Sequence, residues 1–451
     1  MEPLSQLRRL GLFDARVPRY TSYPPATKFS NDVTADVFRS WVRQIPEGSA
    51  ISVYAHVPFC RRLCWFCACR TQGTRTDAPV IAYVETLRQE VANLKAILPD
   101  GVRIARLHWG GGTPTLLQPD LMRELATTIT DAMPLTEGAE FSVEIDPNEI
   151  DEPRMTALAE IGMNRASIGV QDFDDDIQQA IGRIQGYEVT RNTVEALRAH
   201  GIQSLNADIL YGLPHQNQAR IAESVQMLLS LSPDRVALYG YAHVPWMAKR
   251  QAMIPTDALP TPEERLHLYN TARRLFLWDG YDEIGIDHFA RPTDSMAVAA
   301  RTGHLRRNFQ GYTDDTCDVL IGLGASAISK FPQGYAQNAS ATAHYQASVR
   351  DGQMATGRGH AFKGDDTWRG RMIEMLLCTF TIDGAEISRE YDVDAKILSQ
   401  LFRTAAEAYP EMTRVTDEGF EILEKGRPLA RMIARIFDGY EMRAEGHSAA
   451  F

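Results

Sequence analysis

The sequence has few cysteines, no long apolar run and no excess of positive charge. Six cysteines in 451 residues, four of them inside ten positions, cannot supply a disulfide framework and suit a reducing compartment. No stretch approaches the roughly 20 continuous apolar residues of a membrane-spanning helix. The first residues carry Arg8, Arg9, Arg16 and Arg19 without the apolar core of a secretory signal, so a cytoplasmic location is expected. A net charge of −11 provides no global field for nucleic acid, and an anionic ligand must therefore meet locally clustered arginines. No internal repeat or low-complexity segment stands out. What is present, 44% hydrophobic and 23% charged residues, describes an ordinary globular chain. Its length suits one large α/β domain plus a smaller one.

The most informative cysteines are Cys60, Cys64 and Cys67, in a short aromatic loop directly after the β-patterned run Ile51 to Val57. Three thiolates on one tight loop suit three irons of a [4Fe–4S] cube and leave the fourth iron open to a non-protein ligand. A structural zinc knuckle is the alternative. Zinc, however, takes four protein ligands in separated pairs, whereas the candidates here are compressed into Cys60 to Cys69. Cys317 and Cys378 stand alone in apolar surroundings and read as core or subsurface thiols.

Apolar, β-branched runs recur at Ile51 to Val57, Ile104 to Trp109, Glu140 to Ile145, Arg165 to Val170, Ser204 to Leu210 and Arg235 to Tyr241, each followed by a helical pattern. The clearest helix carries Val80, Val84, Leu87, Val91, Leu94 and Leu98 on one face. Six strand–helix units predict a parallel α/β sheet, wound in one direction and too short to close as an eight-stranded barrel. An open (β/α)6 partial barrel is expected, with a flat doubly wound sheet as the alternative. At the carboxyl end of each predicted strand stands something polar or unusual. The first has Tyr54, His56 and the cysteine loop, and the second Gly110, Gly111, Gly112 and Thr113. Glu144 and Asp146, Gln171, Asp208, and Ala242 with His243 follow on the others. Ligands bind at this rim in parallel α/β folds. A lone acid such as Asp208 also reads as a helix cap, and the GGGT run as a tight turn.

The loop CRRLCWFC resembles the Cys-x-x-x-Cys-x-x-Cys signature of the radical S-adenosylmethionine (SAM) superfamily, and HWGGGTPT resembles its glycine-rich stretch. Over nearly its whole length the chain resembles one family within it, the oxygen-independent coproporphyrinogen III oxidases, also called coproporphyrinogen dehydrogenases. The segments PRYTSYP (Pro18 to Pro24), DHFARP (Asp287 to Pro292), NFQGYT (Asn308 to Thr313) and the fourth loop cysteine, Cys69, are the most particular to it. The resemblance implies that Cys60, Cys64 and Cys67 ligate a [4Fe–4S] cluster. It further implies that Tyr54, Gly111, Glu144 and Ile328 hold SAM. A second SAM beside the first would be met by Phe66, Gly112, Thr113, Gln171, Arg183, Asp208 and Ala242. Cys69 is the hypothesised further catalytic residue. Ala68 and Arg70 depart from the family pattern, and neither removes a proposed ligand.

The activity implied is oxidative decarboxylation of two propionates of coproporphyrinogen III to vinyl groups, giving protoporphyrinogen IX in haem biosynthesis. The expected partners are that substrate and a low-potential electron donor, with no nucleic acid and no membrane, and the chain is expected to be a monomer. The acidic protein must meet the substrate's carboxylates with arginine forks. Arg16, Arg19, Arg61, Arg62 and Arg291 are the candidates, each also readable as a solvated charge. Three segments are expected: a lid over 1–45, the catalytic partial barrel over 46–363, and a mostly helical, winged-helix-like cap over 364–451. A haem-binding chaperone related to the family, lacking the Cys-x-Cys ending, and a non-catalytic iron–sulfur module remain as rival readings.

Overall fold

The computed structural model describes residues 3–441, so the first two and last ten residues of the expected lid and cap lie outside the described residues. Six strands form the heart of the fold: β1 (Ala50–Val57), β2 (Arg103–Gly111), β3 (Leu135–Ile145), β4 (Arg165–Gln171), β5 (Ser204–Tyr211) and β6 (Arg235–Gly240). Each pairs in parallel with the next in chain order. A doubly wound sheet reverses its strand order at a switch point. These six strands follow one another without reversal, and the architecture is the open partial barrel.

Outward-facing strand positions such as Val53, Ala55 and Val57 are buried under the helices, while Ser52, Tyr54 and His56 alternate with them on the inner face. Helix α1 (Ala78–Lys95) buries Val80, Val84, Leu87, Val91 and Leu94, the stripe legible in the sequence. It also buries Glu90, which accepts from the Tyr345 hydroxyl, the Gly324 N–H and Asn338 Nδ2, each at 2.7 Å.

The sheet continues past the six expected strands to twelve. Beyond β6 lie β7 (Asp282–Ile284) and β8 (His288–Ala290), both antiparallel additions. Beside β1 run β9 (Leu320–Leu323), parallel to it, and then antiparallel β10 (Ile328–Phe331), β11 (Gly334–Asn338) and β12 (Thr356–Ala361). Runs of three to five residues carry too little period to separate from loops, and β12 (TGRGHA) has no apolar run, so only six strands are legible in the sequence.

A charged network fills the barrel at the amino ends of the strands. Arg106 reaches Glu140 at 3.1 Å and Asp314 at 3.0 Å, Arg165 reaches Glu140 at 2.9 Å, and Arg235 reaches Asp294 at 2.7 Å. Ser52 on β1 hydrogen-bonds Asp315, which joins the first strand to the same network.

The C-terminal part packs helices Asp366–Thr379, Gly384–Tyr391, Ala395–Ala408 and Ala430–Phe437 around a three-stranded antiparallel sheet. Val17, Tyr20 and Tyr23 are buried in its core. The Tyr20 hydroxyl donates to Asp438 Oδ2 at 2.9 Å, and Gly439 N–H donates to the Tyr23 hydroxyl at 2.8 Å. The PRYTSYP segment thus ties the N-terminus to the C-terminal helices. Among the described residues no helix is long and apolar enough to cross a membrane.

Candidate functional site

The cysteine loop rises from β1, and each of its three candidate ligands has a donor aimed at its sulfur. Thr113, from the glycine-rich turn after β2, hydrogen-bonds the Cys60 thiol. Arg183 Nη1 lies 3.6 Å from Cys64 Sγ. Cys69 N–H donates to Cys67 Sγ at 3.4 Å. Burial pushes the Cys60 thiol up to about 11 and raises Cys64. The Cys69 thiol acts the other way on Cys67, whose pKa falls to about 6. Thiolates hold the irons of such clusters and hydrogen bonds to the sulfurs tune their potential, and the arrangement fits a cube. Among the described residues no three His, Cys, Asp or Glu side chains are gathered so as to hold a single metal ion.

Glu144, at the end of β3, stands beside this loop. It accepts from Gly111 N–H at 3.0 Å, and His108 Nε2 lies 3.5 Å from its other oxygen. Burial opposes its charge, but His108 and the Gly111 amide prevail, and the carboxyl is held below the usual range. Tyr54 stacks on His108 at 5.7 Å between centroids and meets His56 Nδ1 at 3.0 Å. Gly111 has φ +111 and its Cβ would run into the His56 ring, while a Cβ on Gly112 would lie 2.5 Å from the Phe59 carbonyl. Glycine at both positions lets this cradle pack directly against His56 and Phe59. Ile328 joins from β10, because its backbone lies against Gly322, the register partner of Tyr54.

The other rim residues surround that centre. Arg183 pairs with Asp146 at 3.4 Å and donates to the Gly169 carbonyl at 3.0 Å, beside Gln171. Asp208 accepts from Asn206 at 3.0 Å, and burial raises its pKa to about 6. Phe66 and Ala242 are joined by a residue that carried no signal in the sequence. Gln251 Nε2 donates to the Phe66 carbonyl at 2.7 Å and to the Ala242 carbonyl at 3.1 Å. Gln251 is a lone amide in the short 3-10 helix Lys249–Met253 after the last rim strand, and only the fold shows that it reaches the cysteine loop.

The remaining candidates separate. His243 turns to Tyr241 and Thr256. Arg61 is engaged by Asp77 and the Thr74 carbonyl, Arg62 faces Glu149, and Arg16 lies over the Trp246 ring at 5.5 Å. Arg291 is held by Asp279 at 2.9 Å and stacked on Tyr281. Arg19 donates to the Gly240 carbonyl at 3.0 Å, at the carboxyl end of β6.

Comparison with known proteins agrees with this geometry. The sequence model of the Radical SAM superfamily matches residues 54–228. An oxygen-independent coproporphyrinogen III oxidase from Paracoccus denitrificans is 65% identical over 450 residues, all of both chains. The enzyme of that name from Escherichia coli is 37% identical, covering 94% of this chain and 93% of its own. A solved structure of coproporphyrinogen III oxidase from Escherichia coli, described as a radical SAM enzyme, superposes with a TM-score of 0.89 at 35% identity. It covers 95% of this chain and 100% of that one.

Proposed function

The chain belongs to the oxygen-independent coproporphyrinogen III oxidases, a radical SAM family, and from that membership we propose that it oxidatively decarboxylates two propionates of coproporphyrinogen III, giving protoporphyrinogen IX in haem biosynthesis. It is an oxidoreductase whose family implies a [4Fe–4S] cluster and SAM. When bound, that pair supplies the 5′-deoxyadenosyl radical that takes a hydrogen from the propionate β-carbon, after which carbon dioxide and one electron leave.

The residues of this chain bind, orient and exclude solvent. Cys60, Cys64 and Cys67 hold the cluster, each with its own donor at sulfur. Glu144 stays ionised between His108 and Gly111, and so it can accept from a cationic amine lying in the glycine cradle, with Tyr54 and Ile328 alongside. Phe66, Gly112, Thr113, Gln171, Arg183, Asp208 and Ala242 are assigned to a second SAM beside the first. Gln251 bridging Phe66 and Ala242, and Arg183 standing beside Gln171, support this. Residues 46–363 are taken as the catalytic barrel, 1–45 as the lid and 364–451 as the cap. A cytoplasmic monomer served by a low-potential electron-transfer protein completes the reading.

The observation that carries the function is Glu144, fixed by Gly111 N–H, beside three cysteines with individual donors. The protein, reconstituted anaerobically, is incubated with SAM, a reduced flavodoxin-type donor and coproporphyrinogen III. Protoporphyrinogen IX is the expected product, and its absence with a full cluster overturns the assignment. Cys60→Ala, Cys64→Ala and Cys67→Ala should each lose the [4Fe–4S] signal in Mössbauer spectra.

A further inference from the structure

Four arginines from distant parts of the chain meet where the carboxyl ends of β5 and β6 face the C-terminal helices. Arg19 Nη2 donates to the Gly240 carbonyl at 3.0 Å. A Cβ on Gly240 would stand 2.9 Å from the Tyr211 hydroxyl and 3.1 Å from Arg265 Nη2, so a glycine is what lets that guanidinium approach the rim. Arg431, on helix Ala430–Phe437, donates to the carbonyls of Val17 at 2.6 Å and Pro18 at 3.1 Å. Arg307 enters on the hairpin Arg306–Thr313, its guanidinium 4.6 Å from the centre of the Tyr312 ring. The turn of that hairpin reaches the barrel mouth, because a Cβ on Gly311 would lie 3.3 Å from the Tyr239 hydroxyl.

Positive charge exceeds negative charge here. Asp287 is the acid facing Arg307, Arg19 and Arg431, and it is already engaged by His288 Nδ1 at 2.7 Å. Neither Arg307 nor Arg265 forms an ion pair among the described residues. Nε and Nη1 of Arg307 and Nε of Arg265 are buried without a hydrogen-bond partner. Burial, with Arg19 next in effect, pushes Arg431 down to about 9. Charges withdrawn from bulk water require partners. Arg307 and Arg265, buried with guanidinium nitrogens that no group of the described residues meets, form a site that is complete only with added anions.

We infer that Arg307 and Arg265, backed by Arg19 and Arg431, form the carboxylate subsite that grips propionates of the substrate. Planar forks match planar carboxylates, and the cluster lies on the same rim as Asp208 and Glu144. The inference rests on the functional reading above and deepens it. It replaces Arg61, Arg62 and Arg291, whose guanidiniums face this chain's own acids, as the residues that recognise the substrate.

Coproporphyrin III, the unreactive aromatic form of the tetracarboxylate, serves as the probe, and its fluorescence is followed on titration with the full chain. Arg307→Gln and Arg265→Gln should each weaken binding roughly tenfold to a hundredfold, the effect of losing a charge-assisted hydrogen bond. Arg291→Gln should leave binding unchanged, and Arg307→Lys, which keeps the charge without the fork, should recover part of the loss. Thermal midpoints and iron content are read on every variant. If one glutamine variant does not fold, the other carries the comparison. Equal affinity for wild type and the folded glutamine variants overturns the subsite and leaves the functional reading standing. A wild-type chain that does not bind coproporphyrin III overturns both.

Discussion

Cys69 N–H donates to Cys67 Sγ at 3.4 Å, and the Cys69 thiol is the main influence holding the Cys67 thiol down to about 6. The fourth cysteine therefore acts on a ligand of the proposed cluster without being needed as one. A cube bound by four cysteines would leave no open iron.

Cys69→Ser keeps a hydroxyl donor and the backbone donor near Cys67. The variant should retain iron and uncoupled SAM cleavage while losing most protoporphyrinogen IX formation. Mössbauer spectra, 5′-deoxyadenosine and porphyrin are measured on one preparation. Cluster loss would make Cys69 a ligand, and normal product yield would reduce it to a space-filling thiol.

Glu144→Ala removes the acceptor for Gly111 N–H and the partner of His108, but no sulfur donor. The cluster should persist, and SAM affinity should fall roughly tenfold to a hundredfold, as expected for a charge-assisted hydrogen bond of about 1.5 to 3 kcal/mol. Anaerobic equilibrium titration decides, and unchanged affinity removes Glu144 from the site.

Gln251→Leu leaves the Phe66 and Ala242 carbonyls and the Val244 N–H without their side-chain partner. Because Gln251 is buried, the loss should destabilise the protein by on the order of 3 kcal/mol. It should also loosen the cysteine loop, read as faster iron release to a chelator. A urea midpoint and release rate equal to wild type would show that Gln251 does not brace the loop.

Glu90 yields a pH prediction. Burial outweighs its three hydrogen-bond donors and raises its pKa from 4.5 to about 7. A carboxyl with a raised folded pKa binds its proton more tightly in the folded chain. Its contribution is therefore fully present below pH 4.5, declines as pH rises through that window, and levels off above about 7. Wild type should lose stability across this range relative to Glu90→Gln, by roughly 3 kcal/mol in total. Urea unfolding of both proteins at pH 5 and pH 8 tests it, and parallel profiles would refute the raised pKa.

Legibility in the sequence followed regularity. The six barrel strands and the α1 stripe were visible because long elements repeat their pattern, and the cysteine loop because its spacing is chemically restrictive. The β7 to β11 additions were not, being too short for a period, nor was β12, which has no apolar run. Glu90 contradicts the apolar stripe that defines its helix, and nothing local shows that Tyr345 and Asn338 arrive to satisfy it. Gln251, Arg265, Arg307 and Arg431 were missed for a related reason, since each acquires meaning only through a partner far away in the chain. Arg291, prominent in DHFARP, is itself held by Asp279 and Tyr281, a pairing the motif does not show.

The ionic network among Arg106, Glu140, Arg165, Arg235 and Asp294 makes the barrel a vessel with a single door. A flat, four-armed molecule that must present two different arms to one fixed radical source cannot pass through and leave by the far side. It has to turn over inside or back out and return by the same mouth. The number of intermediates released half-finished then depends on which of these two routes the molecule takes.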